Sequence, residues 1–163
     1  MYDTPLTIEQ VLTQLAELPP RLAALTAGLS PAQLQTRPGL EEWSLNDILA
    51  HLRACGDMWG QAIAGILAED HPTLKAVNPT NWIKQTNYPA LEFRRSLRAY
   101  AKQRAELLAV LRALPPKAWS RAATVTGAGR PIERSVLTYA QWLANHERSH
   151  WRTLKRGAEA LRG

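Results

Sequence analysis

The stretch Val136–Leu154, VLTYAQWLANHERSHWRTL, decides how the rest of the chain is read. At about 100° per residue, Tyr139, Leu143, His146 and His150 fall along one strip of a helix, with Leu154 beside the last. Val136 and Ala140 widen the same apolar face. Two imidazoles thus stand where a buried helix face would carry Leu or Ile. Histidines at this spacing serve either as a polar, hydrogen-bonded feature of a core or as ligands, because positions i and i+4 are close enough to share one metal ion.

Working outward, helical periodicity covers most of the chain. Thr7–Leu29 carries apolar residues at helical spacing, with Thr7 and Gln10 as a capping box, Gly28 as an end signal, and Pro19-Pro20 expected to kink or divide it. A second helix starts at Ser44, which caps it, with Asp47 three residues on at its positive end. Leu45, Ile48, Leu49, Leu52, Trp59, Ile63, Ile66 and Leu67 form its apolar stripe. A third helix runs from about Ala90 to Ala113, with Phe93, Leu97, Tyr100, Ala101, Leu107, Leu108 and Leu111 inward. The last is expected to start near Ile132 or Glu133 and to reach about Arg156. Four such helices in one domain spanning residues 1–163, with no repeated strand signal, indicate an all-α four-helix bundle. The connection between the second and third helices is long, and "TVTGAGRPI", Thr124–Ile132, suits a small hairpin before the fourth because Gly127 and Gly129 permit positive φ.

Composition narrows the function classes. No apolar run approaches the roughly 20 residues of a membrane span, and the opening MYDTPLTIEQ lacks the basic-then-apolar pattern of a signal peptide. The single cysteine, Cys55, excludes an internal disulfide and fits a reducing cytoplasm. The net charge of +6 raises nucleic acid as a partner, but 15 of the 20 basic residues are arginines scattered from Arg21 to Arg162, as on solvated helix faces. Nucleic acid stays a remote reading.

His146-Glu147-Arg148-Ser149-His150 also spells H-E-x-x-H, the zinc-protease helix motif, in which Glu147 would be the general base. The extended form of that motif fails: Thr153 stands for its glycine and Arg156 for its third histidine. No edge strand is predicted that would hold a peptide. A third inward histidine lies instead on the second helix, where His51 borders the apolar stripe beside Ile48 and Cys55. Bundle metal sites are built from inward side chains on facing helices, and three neutral imidazoles leave coordination positions open, the pattern of a catalytic metal. His71, before Pro72 in a loop, reads as surface.

Trp43-Ser44 opening a helix, His51-Leu52 seven residues on, and His146-Glu147-x-x-His150 near the end of the last helix resemble the DinB-like superfamily over roughly Leu22–Leu154. The resemblance implies a four-helix bundle binding a divalent metal, commonly zinc or nickel, through His51, His146 and His150. Characterised relatives include metal-dependent thiol S-transferases using bacillithiol or mycothiol, a mycothiol-dependent maleylpyruvate isomerase and glutathione-dependent homologues. The implied function is therefore metal-dependent transfer of a small thiol to an electrophile, or a related hydrolysis, with a non-catalytic metal-binding stress-response protein as the alternative. Glu147 would act behind the ligands or as a base. Trp59 and Tyr139 would line the pocket for thiol or substrate, and Arg104, inside the third helix's apolar stripe, would hold a carboxylate there or else pair with a buried acid. Cys55, one turn beyond His51, is either a small core residue or a group that touches the metal. The resemblance further implies a homodimer, with some of Trp82, Trp119 and Trp142 at its interface.

Overall fold

The computed structural model describes residues 5–163; residues 1–4, the start of the stretch read for a targeting signal, lie outside it. Four long helices form the frame: α1 (Ile8–Thr26), α3 (Leu45–Ala68), α5 (Phe93–Arg112) and α6 (Val136–Arg162). Helices α1 and α3 each pack against both α5 and α6, which closes the four into a bundle. Between α1 and α3 lies the single-turn helix α2 (Pro31–Leu34), capped by Ser30. The α3–α5 connection holds a three-residue strand β1 (Thr73–Lys75), the short helix α4 (Pro79–Ile83) and a 3-10 turn at Tyr88–Ala90. Among the described residues no helix is long and apolar enough to cross a membrane.

Local signals set the helix starts. The Ser44 side chain accepts from Asp47 N while the Asp47 carboxylate accepts from Ser44 N, and Thr7 and Gln10 make the same reciprocal pair. The expected hairpin is present as β2 (Ala122–Thr126) and β3 (Ile132–Ser135), turned by Gly127 and Gly129 at φ 87° and 89°. It gains a partner that periodicity did not indicate, for β1 adds in parallel to β2 and pairs Leu74 with Val125. The expected start of the last helix is corrected too. Residues 132–135 are strand, and α6 begins only at Val136, where the Ser135 hydroxyl accepts from Thr138 N; it then continues to Arg162.

Pro19 and Pro20 do not divide α1. A proline at position 19 has no N–H to give to the carbonyl of residue 15. The Arg104 guanidinium on α5 donates to the Leu15 oxygen instead, at 3.0 Å. The vacated acceptor is thereby satisfied from another helix.

The residues expected inward are buried: Ile48, Leu52, Leu97, Leu108, Leu143 and Leu154. Trp119 is too, in the core beneath the sheet, so it is withdrawn from the set proposed for an interface. The apolar interior falls into two clusters. One gathers Val11, Leu15, Ile63, Leu108, Leu111, Val136 and Leu143 with the sheet residues Ala123 and Val125. The other gathers Leu22, Leu34, Leu49, Leu52, Phe93, Leu97, Leu154 and Ala158. Along every long helix a change of cluster falls at the same height, and there the bundle carries Cys55, Arg104, His146 and Glu147 instead of aliphatic side chains. The functional residues occupy this polar layer.

Candidate metal centre

Helix α3 brings His51 to the layer and α6 brings His146 and His150. The Nε2 atom of His146 lies 2.9 Å from that of His51 and 3.1 Å from that of His150. The ring centroids are 4.6–5.0 Å apart, all three pairs edge-on. Ligands held at about 2.1 Å from one ion lie about 3.0 Å apart at 90° and about 3.4 Å apart at the tetrahedral angle, so these separations are close to those within one coordination sphere. Cys55 stands on the buried side with Sγ 3.8 Å from His51 Nε2 and 3.9 Å from His146 Nε2. His51, Cys55 and His146 thus place ligand atoms within 4.8 Å of one another. The donor set, imidazole with one sulfur nearby, suits a borderline divalent transition-metal ion rather than the hard, oxygen-seeking cations.

Electrostatics keep the imidazoles neutral. Burial, with His150 nearby, lowers the His51 pKa from 6.5 to about 4. Burial with both neighbouring histidines takes His146 from 6.5 to about 3, and burial lowers His150 as well. A neutral imidazole keeps the lone pair that a metal needs. Burial, helped by the Glu147 carboxylate, pushes the Cys55 thiol up to about 12 in the metal-free chain.

Two tryptophans frame the cluster. Trp43, about half exposed, lies 5.0 Å from His51 and is nearly parallel to His150 at 6.4 Å. Trp59 stands edge-on to His146 at 5.2 Å and to Trp142 at 6.2 Å. Tyr139 is buried and packs on Trp142. Trp59 and Tyr139 line a common cavity that opens between α3 and the sheet, and its lining includes neither Arg104 nor the three histidines.

Glu147 and Arg104 pair with each other. Both carboxylate oxygens of Glu147 accept from the Arg104 guanidinium, one at 2.9 Å from Nη1 and the other in a close pair with Nη2. The Tyr100 hydroxyl also donates to Glu147, at 2.7 Å. Side-chain exposure of the pair is 2% and 3%. Burial on its own would lower the Arg104 pKa, but the Glu147 carboxylate outweighs it and holds the guanidinium above its ordinary value. The same surroundings, burial first and then Glu147, keep Tyr100 a neutral phenol. Glu147 therefore lies in an ion pair that faces α5 and α1, away from the position of a base, and Arg104 has taken the buried-acid alternative. His71, read as surface, is exposed and pairs with Glu133 at 2.9 Å.

The family model described as the DinB superfamily matches residues 6–154, nearly the whole chain. The chain belongs to the DinB superfamily. A relative in Halalkalibacterium halodurans, named "Putative metal-dependent hydrolase", is 26% identical over 144 residues, covering 88% of this chain and 83% of its own. Among solved structures, YfiT from Bacillus subtilis superposes with a TM-score of 0.75 at 18% identity, over 93% of this chain and 89% of its own. YfiT is described as a probable metal-dependent hydrolase with an unusual four-helix bundle topology. The DinB bundle architecture is shared.

Sequence reasoning missed Trp43 as a wall of the cluster, although the residue belongs to the motif that opens α3. Its signal was position: it directly precedes the Ser44 cap, and His51 lies seven residues beyond that cap. It also missed Arg134, a cation on a strand that had been read as helix.

Proposed function

We propose that this DinB-superfamily chain is a metal-dependent enzyme in which His51, His146 and His150 hold one divalent ion, zinc or nickel, and that it joins a small thiol to an electrophile. The observation that carries the reading is the meeting of three imidazole nitrogens, 2.9 and 3.1 Å apart, on the polar layer of the bundle. Bound there, the ion would supply Lewis acidity, lowering the pKa of the thiol it holds so that sulfur attacks as thiolate near neutral pH.

The chain's own residues favour a nucleophile that needs no separate base. Glu147, the acid nearest in sequence to the histidines, is committed to Arg104 and Tyr100. The neutral histidines on α3 and α6 would offer their lone pairs to the ion, and Trp43 and Trp59 pack against the His51 and His146 rings. Trp59 and Tyr139 give the electrophile an apolar wall. Hydrolysis is the second reading. It is favoured by the names of the relatives and would use the same three histidines with water as nucleophile.

Cobalt-substituted protein tests the choice, because thiolate ligation gives an intense charge-transfer band. Bacillithiol, mycothiol, glutathione and cysteine are titrated in turn, and each is then assayed with monochlorobimane. The expected result is a new band with at least one thiol and faster thiol consumption than in His51→Ala. If no thiol alters the spectrum and none is consumed faster than in that variant, thiol transfer is wrong. Ester hydrolysis dependent on His51 would then support the second reading, and its absence the non-catalytic metal protein.

A further inference from the structure

The sheet carries a cation on the wrong side. Residue 134 pairs with Ala123 across the β2–β3 ladder, and directly opposed residues of an antiparallel pair share a face. Ala123 is fully buried, so Arg134 sits on the face turned toward the bundle. Its guanidinium carbon lies 4.6 Å from the centroid of the Trp142 ring. Its Nε is shielded from solvent and has no hydrogen-bond partner, and no carboxylate pairs with it among the described residues. A shielded guanidinium donor without an acceptor is costly unless something supplies one.

Arg134 borders a cavity of about 210 Å³ whose lining includes Trp59, Leu74, Lys75, Trp82 and Tyr139 and no acidic residue. The volume is below that of the usual drug-sized site, so it suits a small molecule. Trp59 is a wall of this cavity and touches His146 with the same ring, which makes the cavity a neighbour of the histidine cluster.

We propose that this cavity is a subsite for a small organic carboxylate anchored by Arg134, so that the electrophile processed at the histidine centre is an acid with an apolar body. The planar guanidinium fork matches a carboxylate in a way that a point charge does not. The aromatic walls take the apolar body, and Lys75 adds a second positive charge to the lining. The subsite itself follows from the cavity; its link to catalysis rests on the proposed function.

Benzoate and its neutral analogue benzamide serve as probes, each titrated by calorimetry into zinc-loaded protein. Wild type should bind benzoate at least tenfold more tightly than benzamide. Arg134→Met should bring the two within about twofold of each other, and Arg134→Lys should fall between, with circular dichroism showing the fold retained. His51→Ala, which disables the centre and leaves the cavity walls in place, should keep the tenfold preference. Equal binding of the two probes by wild type overturns the subsite, as does a preference that survives Arg134→Met. Loss of the preference in His51→Ala would mean that the histidine centre, not Arg134, holds the carboxylate. A preference that persists although no thiol is turned over would sink the thiol-transfer reading alone.

Discussion

Replacing Glu147 by Ala tests whether that residue is structural rather than catalytic. The substitution removes the only carboxylate paired with Arg104 among the described residues and leaves a guanidinium that is 2% exposed. Taking one partner from a buried ion pair costs about 3–5 kcal/mol, because the remaining charge stays desolvated. The Tyr100 hydroxyl loses its acceptor as well, which would add about 1–3 kcal/mol if no water entered. The new cavity is next to polar groups and admits water, so the lower part of the summed range applies, about 4 kcal/mol. Against a stability of about 5–15 kcal/mol for a typical domain, that is a large fraction. Arg104→Met with Glu147→Leu and Tyr100→Phe should cost less than Glu147→Ala alone, since neither a buried charge nor the phenol hydroxyl is stranded. A residual loss of about 1–3 kcal/mol is expected from the Leu15 carbonyl, which Arg104 no longer serves. Urea unfolding at pH 7 with EDTA measures all the variants and removes metal binding as a contribution. If Glu147→Ala lies within 1 kcal/mol of wild type, or the triple variant is as unstable as the single one, the ion pair is not what the residue is for.

Other outcomes follow from the same structure. His146→Ala or His150→Ala should abolish stoichiometric metal in protein purified without a histidine tag, as read by elemental analysis; near-equimolar zinc in either would remove that residue from the ligand set. The metal-free chain should lose stability on acidification, because the His51 and His146 values, about 4 and about 3, lie below the unfolded 6.5. The unfolded chain then takes up protons first, so stability holds above about pH 6.5 and falls from there toward pH 4; a urea midpoint unchanged between pH 7 and pH 5 would contradict this. The homodimer stands as a proposal that sedimentation at micromolar concentration decides, with Trp82 and Trp142, both partly exposed, left to contribute.

The four long helices were legible because each carries enough turns for a 3.6-residue pattern to repeat, and their caps are written in side chains such as Ser44 and Asp47. Strand β1 was not, since three residues are too few for an alternation to repeat. Ile132–Ser135 was misread as the first turn of α6 because the pairing that makes it a strand is with β2, which no local pattern reveals. The histidine spacing on α6 was visible from the helical period alone, and the His146 Nε2 lies 2.9 Å from that of the α3 histidine and 3.1 Å from that of His150. What periodicity could not give is the direction of the polar residues among them. Glu147 follows His146 directly, yet a rotation of about 100° turns it toward Arg104.

Pro19 also has a consequence for anyone who would move this site. By leaving the Leu15 carbonyl without its usual donor, it makes a socket on α1 that one guanidinium from α5 fills while gripping Glu147 on α6. The proline therefore works as a keyway: slide α1 by a single turn and the socket no longer faces Arg104. A graft of the histidine layer into another bundle that kept the ligands but repaired this helix with alanine would remove the alignment mark by which three helices find their common height.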